Sequence, residues 1–259
     1  MTRLVSVVGG KHSGKTTVIR YLISELKLRG YKVGSVKEMP NIQWVDFSGK
    51  DTWEHGKAGA EIVVATPLNE TVFFVKRKLF LNEIMPFLSG FDYVILEGFE
   101  HEKTVARIVA AKDAEEAEKF SDDLNIAVSG LIAESEKEIK KASNLKVPIF
   151  NCKFASAKIA DLVEQKAFPL LPGMPHCSEC GYRSCYEFAK AIVAGTEARR
   201  NCPLLMREDV VLEVNGKMIP LKLFPRTIIA NIVRGIVSSL KGIKEVREVK
   251  IIVRKDQTG

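Results

Sequence analysis

The run Gly9-Gly10-Lys11-His12-Ser13-Gly14-Lys15-Thr16 constrains this chain more than any other feature, because of where it sits. It follows the apolar segment Leu4–Val8 and opens a stretch of helical periodicity. The pattern Gly-x4-Gly-Lys-Thr between a strand and a helix is a P-loop. Glycines at Gly9 and Gly14 let the backbone curl so that successive amides face phosphate oxygens, and the helix amino terminus adds its positive dipole end. Lys15 is expected to reach the β- and γ-phosphates and Thr16 to hold Mg²⁺ through its hydroxyl. Gly10, Lys11, Ser13 and Thr17 complete the expected contact set. His12 is expected to turn toward solvent or a partner rather than act as a base.

The rest of residues 1–165 agrees with that start. Strands are expected at Leu4–Val8, Lys32–Val36, Glu61–Ala65, Thr71–Val75, Tyr93–Leu96, Val105–Ala110, Ile126–Val128 and Pro148–Phe150. The clearest helix spans 15–28, where Val18, Ile19, Leu22, Ile23 and Leu26 form one apolar stripe that Gly30 stops. Strands alternating with helices predict βαβ units and a mostly parallel sheet. Phe91-Asp92-Tyr93-Val94-Ile95-Leu96-Glu97-Gly98 reads as a second strand of the nucleotide site. Glu97, at its carboxyl end, is expected to hold Mg²⁺ through water or to orient the attacking water. Asp46 and Asp51 flank a segment suited to a switch loop near the γ-phosphate. No Asn-Lys-x-Asp guanine signature is present, and Ser156-Ala157-Lys158 does not replace it, so these residues specify a nucleotide and leave GTP and ATP open.

Phe168-Pro169-Leu170-Leu171-Pro172-Gly173-Met174-Pro175 cannot continue a helix or a central strand and is read as a boundary. Beyond it lie four of the five cysteines, Cys177, Cys180, Cys185 and Cys202. In a chain read as cytoplasmic, such a cluster points to metal or redox chemistry rather than disulfides. The first three lie close enough to wrap one edge of a cluster. Gly181 permits close backbone approach, and Pro203 follows the fourth as in a bacterial ferredoxin run. An iron–sulfur cluster and structural zinc both remain open, although zinc more often uses two Cys-x2-Cys knuckles. A helix is expected over 186–200, and Cys152 reads as a small buried residue.

The last segment predicts a hairpin, Val210–Val214 and Met218–Leu223, around the turn pair Asn215-Gly216. A helix opening at Pro225 with Ile228, Ile232, Ile236 and Leu240 on one stripe follows, then a strand at Val249–Val253. The fold expected is therefore α/β: a P-loop NTPase domain over 1–168 with a mostly parallel sheet, a small Fe–S module over 174–206, and a ββαβ unit over 207–259.

The formal net charge of +7 is uneven. Residues 171–259 carry 15 Lys and Arg against 9 Asp and Glu, whereas residues 1–170 carry 24 against 23. An anionic partner for the last third follows, whether nucleic acid, an acidic protein or a bound anionic cluster. Nucleic acid is the least favoured, because Phe224 and few other aromatics there could stack on bases. No apolar run is long enough for a membrane span.

Several ordered motifs resemble the molybdopterin-guanine dinucleotide biosynthesis protein B (MobB) family. They are the P-loop from Val8, Arg29-Gly30-Tyr31-Lys32-Val33-Gly34-Ser35-Val36-Lys37, Asp46-Phe47-Ser48-Gly49-Lys50-Asp51-Thr52-Trp53-Glu54-His55 with Ala58-Gly59-Ala60, and Leu96-Glu97-Gly98-Phe99. The resemblance covers about residues 3–165. It implies a GTP-binding adaptor, often a homodimer, that works with a molybdopterin guanylyltransferase or molybdoenzyme to attach GMP to the molybdenum–pterin cofactor, at most a slow GTPase. It also implies Asp46, Asp51 and Glu97 as nucleotide or Mg²⁺ contacts. Where that family reads Lys-His and further histidines, this chain has Lys37-Glu38-Met39-Pro40. The segment from Cys177 to Pro203 resembles the small four-cysteine domain of electron-transfer and carbon monoxide dehydrogenase-associated proteins. That resemblance implies a [4Fe-4S] cluster, with Arg183, Lys190, Arg199 and Arg200 offsetting its charge. The alternative function is a P-loop NTPase that delivers metal or electrons to another metalloenzyme.

Overall fold

The computed structural model describes residues 1–174, 177, 179–197, 202, 203, 210–219, 221, 223–240 and 249–253. The chain divides into two compact units, one of Met1–Leu170 with Ala189–Arg200 and one of Leu171–Phe188 with Asn201–Gly259.

In the first unit, β1 (Arg3–Val8), β2 (Val33–Lys37), β5 (Tyr93–Glu97), β6 (Ala106–Ala110) and β7 (Asn125–Ser129) form one sheet in the order β2-β5-β1-β6-β7. Every pairing in it is parallel. Leu4, Val5, Val7 and Val8 of the central strand are fully buried, as are Val94, Ile95 and Leu96 beside it. Such near-continuous apolar runs are what a sheet covered on both faces requires. The chain leaves β1 for one edge and later returns to its other side, so a crevice opens at the carboxyl ends around β1, where ligands of open α/β sheets bind.

Helix α1 (Lys15–Leu28) buries the predicted stripe of Val18, Ile19, Leu22 and Leu26. Arg29 then ties it to α6 (Cys152–Lys166), with Nη1 2.8 Å from Asp161, 3.0 Å from Glu164, and Nη2 donating to the Ala157 carbonyl. The remaining helices are α2 (Asp51–Lys57), α3 (Leu81–Ile84), α4 (Ala114–Phe120) and α5 (Glu136–Lys141).

Three expectations change. The strands expected at 61–65 and 71–75 stay out of the main sheet and pair antiparallel with each other, as β3 (Ile62–Ala65) and β4 (Val72–Val75). Their connection is too short for a parallel crossover, which takes a dozen or more residues. Pro148–Phe150 contributes a single parallel bridge, Ile149 to Val128. Phe168, expected at the start of a linker, is fully buried, and its carbonyl accepts from the Leu4 amide at 2.9 Å. The first unit therefore runs on to Leu170.

The predicted helix over 186–200 forms as α7 (Cys185–Ala194) and stops at Gly195, whose φ of 78° is left-handed. Phe188, Ala189, Ile192 and Val193 are its buried face. In the second unit, β8 (Leu212–Val214) and β9 (Lys217–Ile219) meet at Asn215-Gly216, both with positive φ, as a type I′ turn demands. Helix α8 (Leu223–Ser238) carries Pro225 in its first turn, where a missing N–H costs least. Among the described residues, 249–253 pair with no strand: β8 and β9 stand as a two-stranded sheet. No helix of the described residues is long and apolar enough to cross a membrane.

Truncating Phe168 to Ala should lower stability by about 3–4 kcal/mol, as for other fully buried phenylalanines. A linker residue would leave the unfolding midpoint unchanged.

Candidate functional site

The predicted P-loop is seated by two close backbone contacts at the carboxyl edge of the sheet. Gly9 has φ 144°, and a Cβ there would lie 1.9 Å from the Ala110 carbonyl oxygen at the end of β6. Gly130, after β7, has φ 93°, and its Cβ would lie 2.3 Å from the Ser13 carbonyl oxygen. Only glycine fits either position. The Leu131 amide donates to that same Ser13 oxygen at 3.4 Å. Gly14 caps α1 in the left-handed conformation and, having no side chain, makes no cap hydrogen bond to the first turn of the helix. The Ser13 hydroxyl is buried with no hydrogen-bond partner among the described residues. Lys15 folds back, with Nζ donating to the carbonyl of Gly9 at 2.8 Å and to that of Gly10. Lys11 and His12 are exposed, and Thr17 is half-buried. This arrangement fits a phosphate chain: an uncapped helix start, a buried hydroxyl and an ammonium meet on one loop.

Thr16 and Glu97, both expected at Mg²⁺, lie together. The Thr16 hydroxyl donates to Glu97 Oε1 at 3.3 Å, and Lys37 Nζ lies 2.9 Å from the same oxygen. Lys37 ends β2, next to β5 in register, which is why it reaches Glu97. The backbone beyond Glu97 turns through two left-handed residues, Gly98 (φ 90°) and Phe99 (φ 56°). The Phe99 amide donates to Glu38 Oε2 at 3.1 Å, and the Ser6 hydroxyl donates to the Gly98 carbonyl at 2.7 Å. Glu38, in the run Lys37-Glu38-Met39-Pro40, thus has a structural role: it holds the turn after Glu97.

Asp46 and Asp51 are not among the partners of Lys15, Thr16 or Glu97. Asp46 accepts from the Thr52 hydroxyl at 2.9 Å and pairs with Lys76 Nζ at 3.2 Å, fastening the segment before α2 to the end of β4. Burial pushes its carboxyl up, but the bonds from Thr52 and Lys76 outweigh that and hold it below its ordinary value. Asp51 is exposed in the first turn of α2. Ser156-Ala157-Lys158 lies inside α6. Glu116, which carries no motif, was invisible to sequence reasoning: its Oε2 accepts from the Lys112 amide at 2.7 Å, and its other oxygen abuts Gly10.

In the second unit, Cys177 is buried and Cys180 and Cys185 are half-buried. Burial raises the Cys185 thiol, neighbouring Cys177 and Cys180 raise it further, and the Gly173 and Met174 amides donate to it. Cys185 thus feels both Cys177 and Cys180, as thiols spaced to share one bound group would. Cys202 is buried too. Among the described residues no cluster of three or more ligands is drawn into metal-holding geometry. Lys190, expected to offset cluster charge, lies 3.6 Å from Asp123, while Arg199 and Arg200 fall outside the described residues. Cys152 is buried, as expected, and its thiol is raised by burial.

Residues 4–132 match the model of the family described as molybdopterin guanine dinucleotide synthesis protein B. An Escherichia coli protein, described as a molybdopterin-guanine dinucleotide biosynthesis adapter protein, is 35% identical over 120 residues, covering 44% of this chain and 67% of that one. The chain belongs to the MobB family. A Methanocaldococcus jannaschii relative, described as "Putative molybdopterin-guanine dinucleotide biosynthesis adapter protein", is 28% identical over 255 residues, 96% of each chain. MobB of Bacillus subtilis superimposes with a TM-score of 0.52 at 20% identity, over 62% of this chain and 97% of that one, which establishes the shared fold. Residues 171–204 match a second model, described as "Putative Fe-S cluster".

Because Asp46 titrates below its ordinary value when folded, its stabilisation is whole above about pH 4 and drains away as pH falls through the lowered value. Asp46→Asn should therefore melt below the parent from pH 7 down to about pH 5, with the gap closing under about pH 4. A gap independent of pH would contradict the charged clasp to Lys76.

Proposed function

We propose that this MobB-family chain is a GTP-binding adaptor of molybdenum or tungsten cofactor maturation, supporting attachment of GMP to molybdopterin. The observation that carries this reading is the meeting of Thr16 and Glu97 at the start of a helix capped by Gly14, which has no side chain to bond its first amides. Gly9–Thr17 would cradle the triphosphate, with Lys15 turning from the Gly9 and Gly10 carbonyls to the phosphates. Thr16 and Glu97 would hold Mg²⁺, Glu97 also being able to orient a water, while Asp46 and Asp51 bracket the segment that would close over the γ-phosphate. Bound Mg²⁺ supplies charge neutralisation at the phosphates. Binding is the main event in this reading and hydrolysis at most slow.

The three-part division into 1–168, 174–206 and 207–259 accompanies it. Cys177, Cys180, Cys185 and Cys202 would ligate a [4Fe-4S] cluster of redox or regulatory role. The spacing Cys177-x2-Cys180-x4-Cys185, with Pro203 directly after Cys202, supports iron–sulfur over zinc, which more often uses two Cys-x2-Cys knuckles. The partners are a molybdopterin guanylyltransferase or molybdoenzyme in the cytoplasm and a second copy of the chain.

Anaerobic purification should give about four irons per chain, broad visible absorption and bound guanine nucleotide. Lys15→Ala should abolish nucleotide binding with the spectrum intact, and Cys180→Ser should do the reverse. A colourless parent protein that binds no nucleotide would overturn the reading.

A further inference from the structure

The sequence lacks a guanine signature, yet the structure places a carboxylate just beyond the carboxyl end of β7, two strands over from β1. After β7 the chain makes a short 3-10 turn, Leu131–Glu134. The start of this turn is fastened to the P-loop by the Gly130 approach and the Leu131 amide, both on the Ser13 carbonyl. Its middle is fixed by Ile132, fully buried, whose amide donates to the Ala111 carbonyl at 2.9 Å. The turn is thus a rigid shelf continuous with the phosphate loop.

Side chains at i and i+3 of a 3-10 turn eclipse, so Leu131 and Glu134 project from the same side of the shelf. Leu131 is 45% exposed. Glu134 pairs with Lys153 Nζ at 2.7 Å through Oε1, and both side chains are nearly half-exposed. Lys153 is held in turn by α6, whose cap Asn151 accepts from the Lys153 amide at 3.0 Å. Pro148–Phe150, just before that cap, is bonded to Val128 of β7. The sheet therefore delivers an apolar side chain, a carboxylate and a four-carbon stem to one place, two strands over from β1 and its P-loop.

We propose that Glu134 reads the base of the bound nucleotide as guanine; this rests on the P-loop being a nucleotide site. A carboxylate only accepts. Guanine offers two adjacent donors, N1–H and the exocyclic amine, on one edge, whereas adenine offers one donor beside a lone pair that a carboxylate repels. The second Glu134 oxygen and the remaining lone pairs of the first are available for such a bidentate bond. The ring lies between Leu131 and the methylene stem of Lys153, whose ammonium holds the carboxylate in place. No Asn-Lys-x-Asp motif is needed, because Gly130 and Lys153 supply what that loop otherwise takes from its own sequence: close contact with the phosphate loop and a flat apolar flank.

The test is competition binding of GTP, ITP, XTP and ATP to the full-length protein, wild type and Glu134→Gln, with Glu136→Gln as the neighbouring control. Wild type should bind GTP best, ITP less tightly for want of the exocyclic amine, and XTP and ATP weakest. Glu134→Gln should lose about tenfold or more in GTP affinity, in line with a bidentate base contact. It should gain XTP, whose carbonyl can accept from the new amide, while Glu136→Gln matches the wild type. A Glu134→Gln protein that still prefers GTP to XTP overturns the assignment and leaves the nucleotide site standing. One that binds none of the four overturns it too, since losing a base contact cannot abolish triphosphate affinity. A wild type that binds ATP as well as GTP refutes the guanine reading itself.

Discussion

Two backbone contacts without side chains, Gly9 against the Ala110 carbonyl and Gly130 against that of Ser13, determine what the carboxyl edge of this sheet can do. They wedge the phosphate loop between the ends of β6 and β7, so the loop cannot shift without moving the central strands. A β-carbon at either position would be driven into a backbone oxygen, and both glycines have φ values that L side chains rarely adopt. The Lys15 ammonium closes the remaining freedom by holding the carbonyls of Gly9 and Gly10. The loop is pre-shaped, and a ligand entering it need not be charged the entropy of ordering it.

Glu97 is positioned by its neighbours in the same way. Lys37 reaches it from the adjoining strand, Thr16 from the first turn of α1, and the chain beyond it is bent through two left-handed residues. A buried phenylalanine with φ of 56° is uncommon, and such strain of order 1–3 kcal/mol persists only where surroundings over-determine it. Here Glu38, binding the Phe99 amide, and Ser6, binding the Gly98 carbonyl, supply that determination. The turn therefore fixes where the carboxylate of Glu97 can stand.

The phosphate loop and α1 were legible in the sequence because both rest on local rules: glycine spacing and a helical stripe. The parallel sheet was legible as continuous apolar runs, but its order was not, since register between distant strands leaves no mark on either. The hairpin of β3 and β4 carried a signal, the shortness of the link between its strands, that outweighs their apolar composition. Phe168 was misplaced because the prolines around it speak for a linker more loudly than one aromatic speaks for the core. At the site, Thr16 and Glu97 could be paired from motif logic. Lys37 and Glu38 could not, because each acts through a contact made only when β2 and β5 align. Asp46 shows the converse: a motif residue whose engagement with Thr52 and Lys76 is structural and invisible in its spacing.

A pre-shaped loop and a carboxylate held beside Thr16 are what the proposed nucleotide site of the first unit rests on. The central claim is that Thr16 and Glu97 form one Mg²⁺-dependent nucleotide site with the P-loop. It is tested most directly by titrating Mg²⁺ while measuring the affinity of a fluorescent GTP analogue for the parent protein and for Glu97→Gln. The account predicts affinity that rises to saturation with Mg²⁺ in the parent and barely responds in the variant. An identical Mg²⁺ dependence in the two proteins would contradict it.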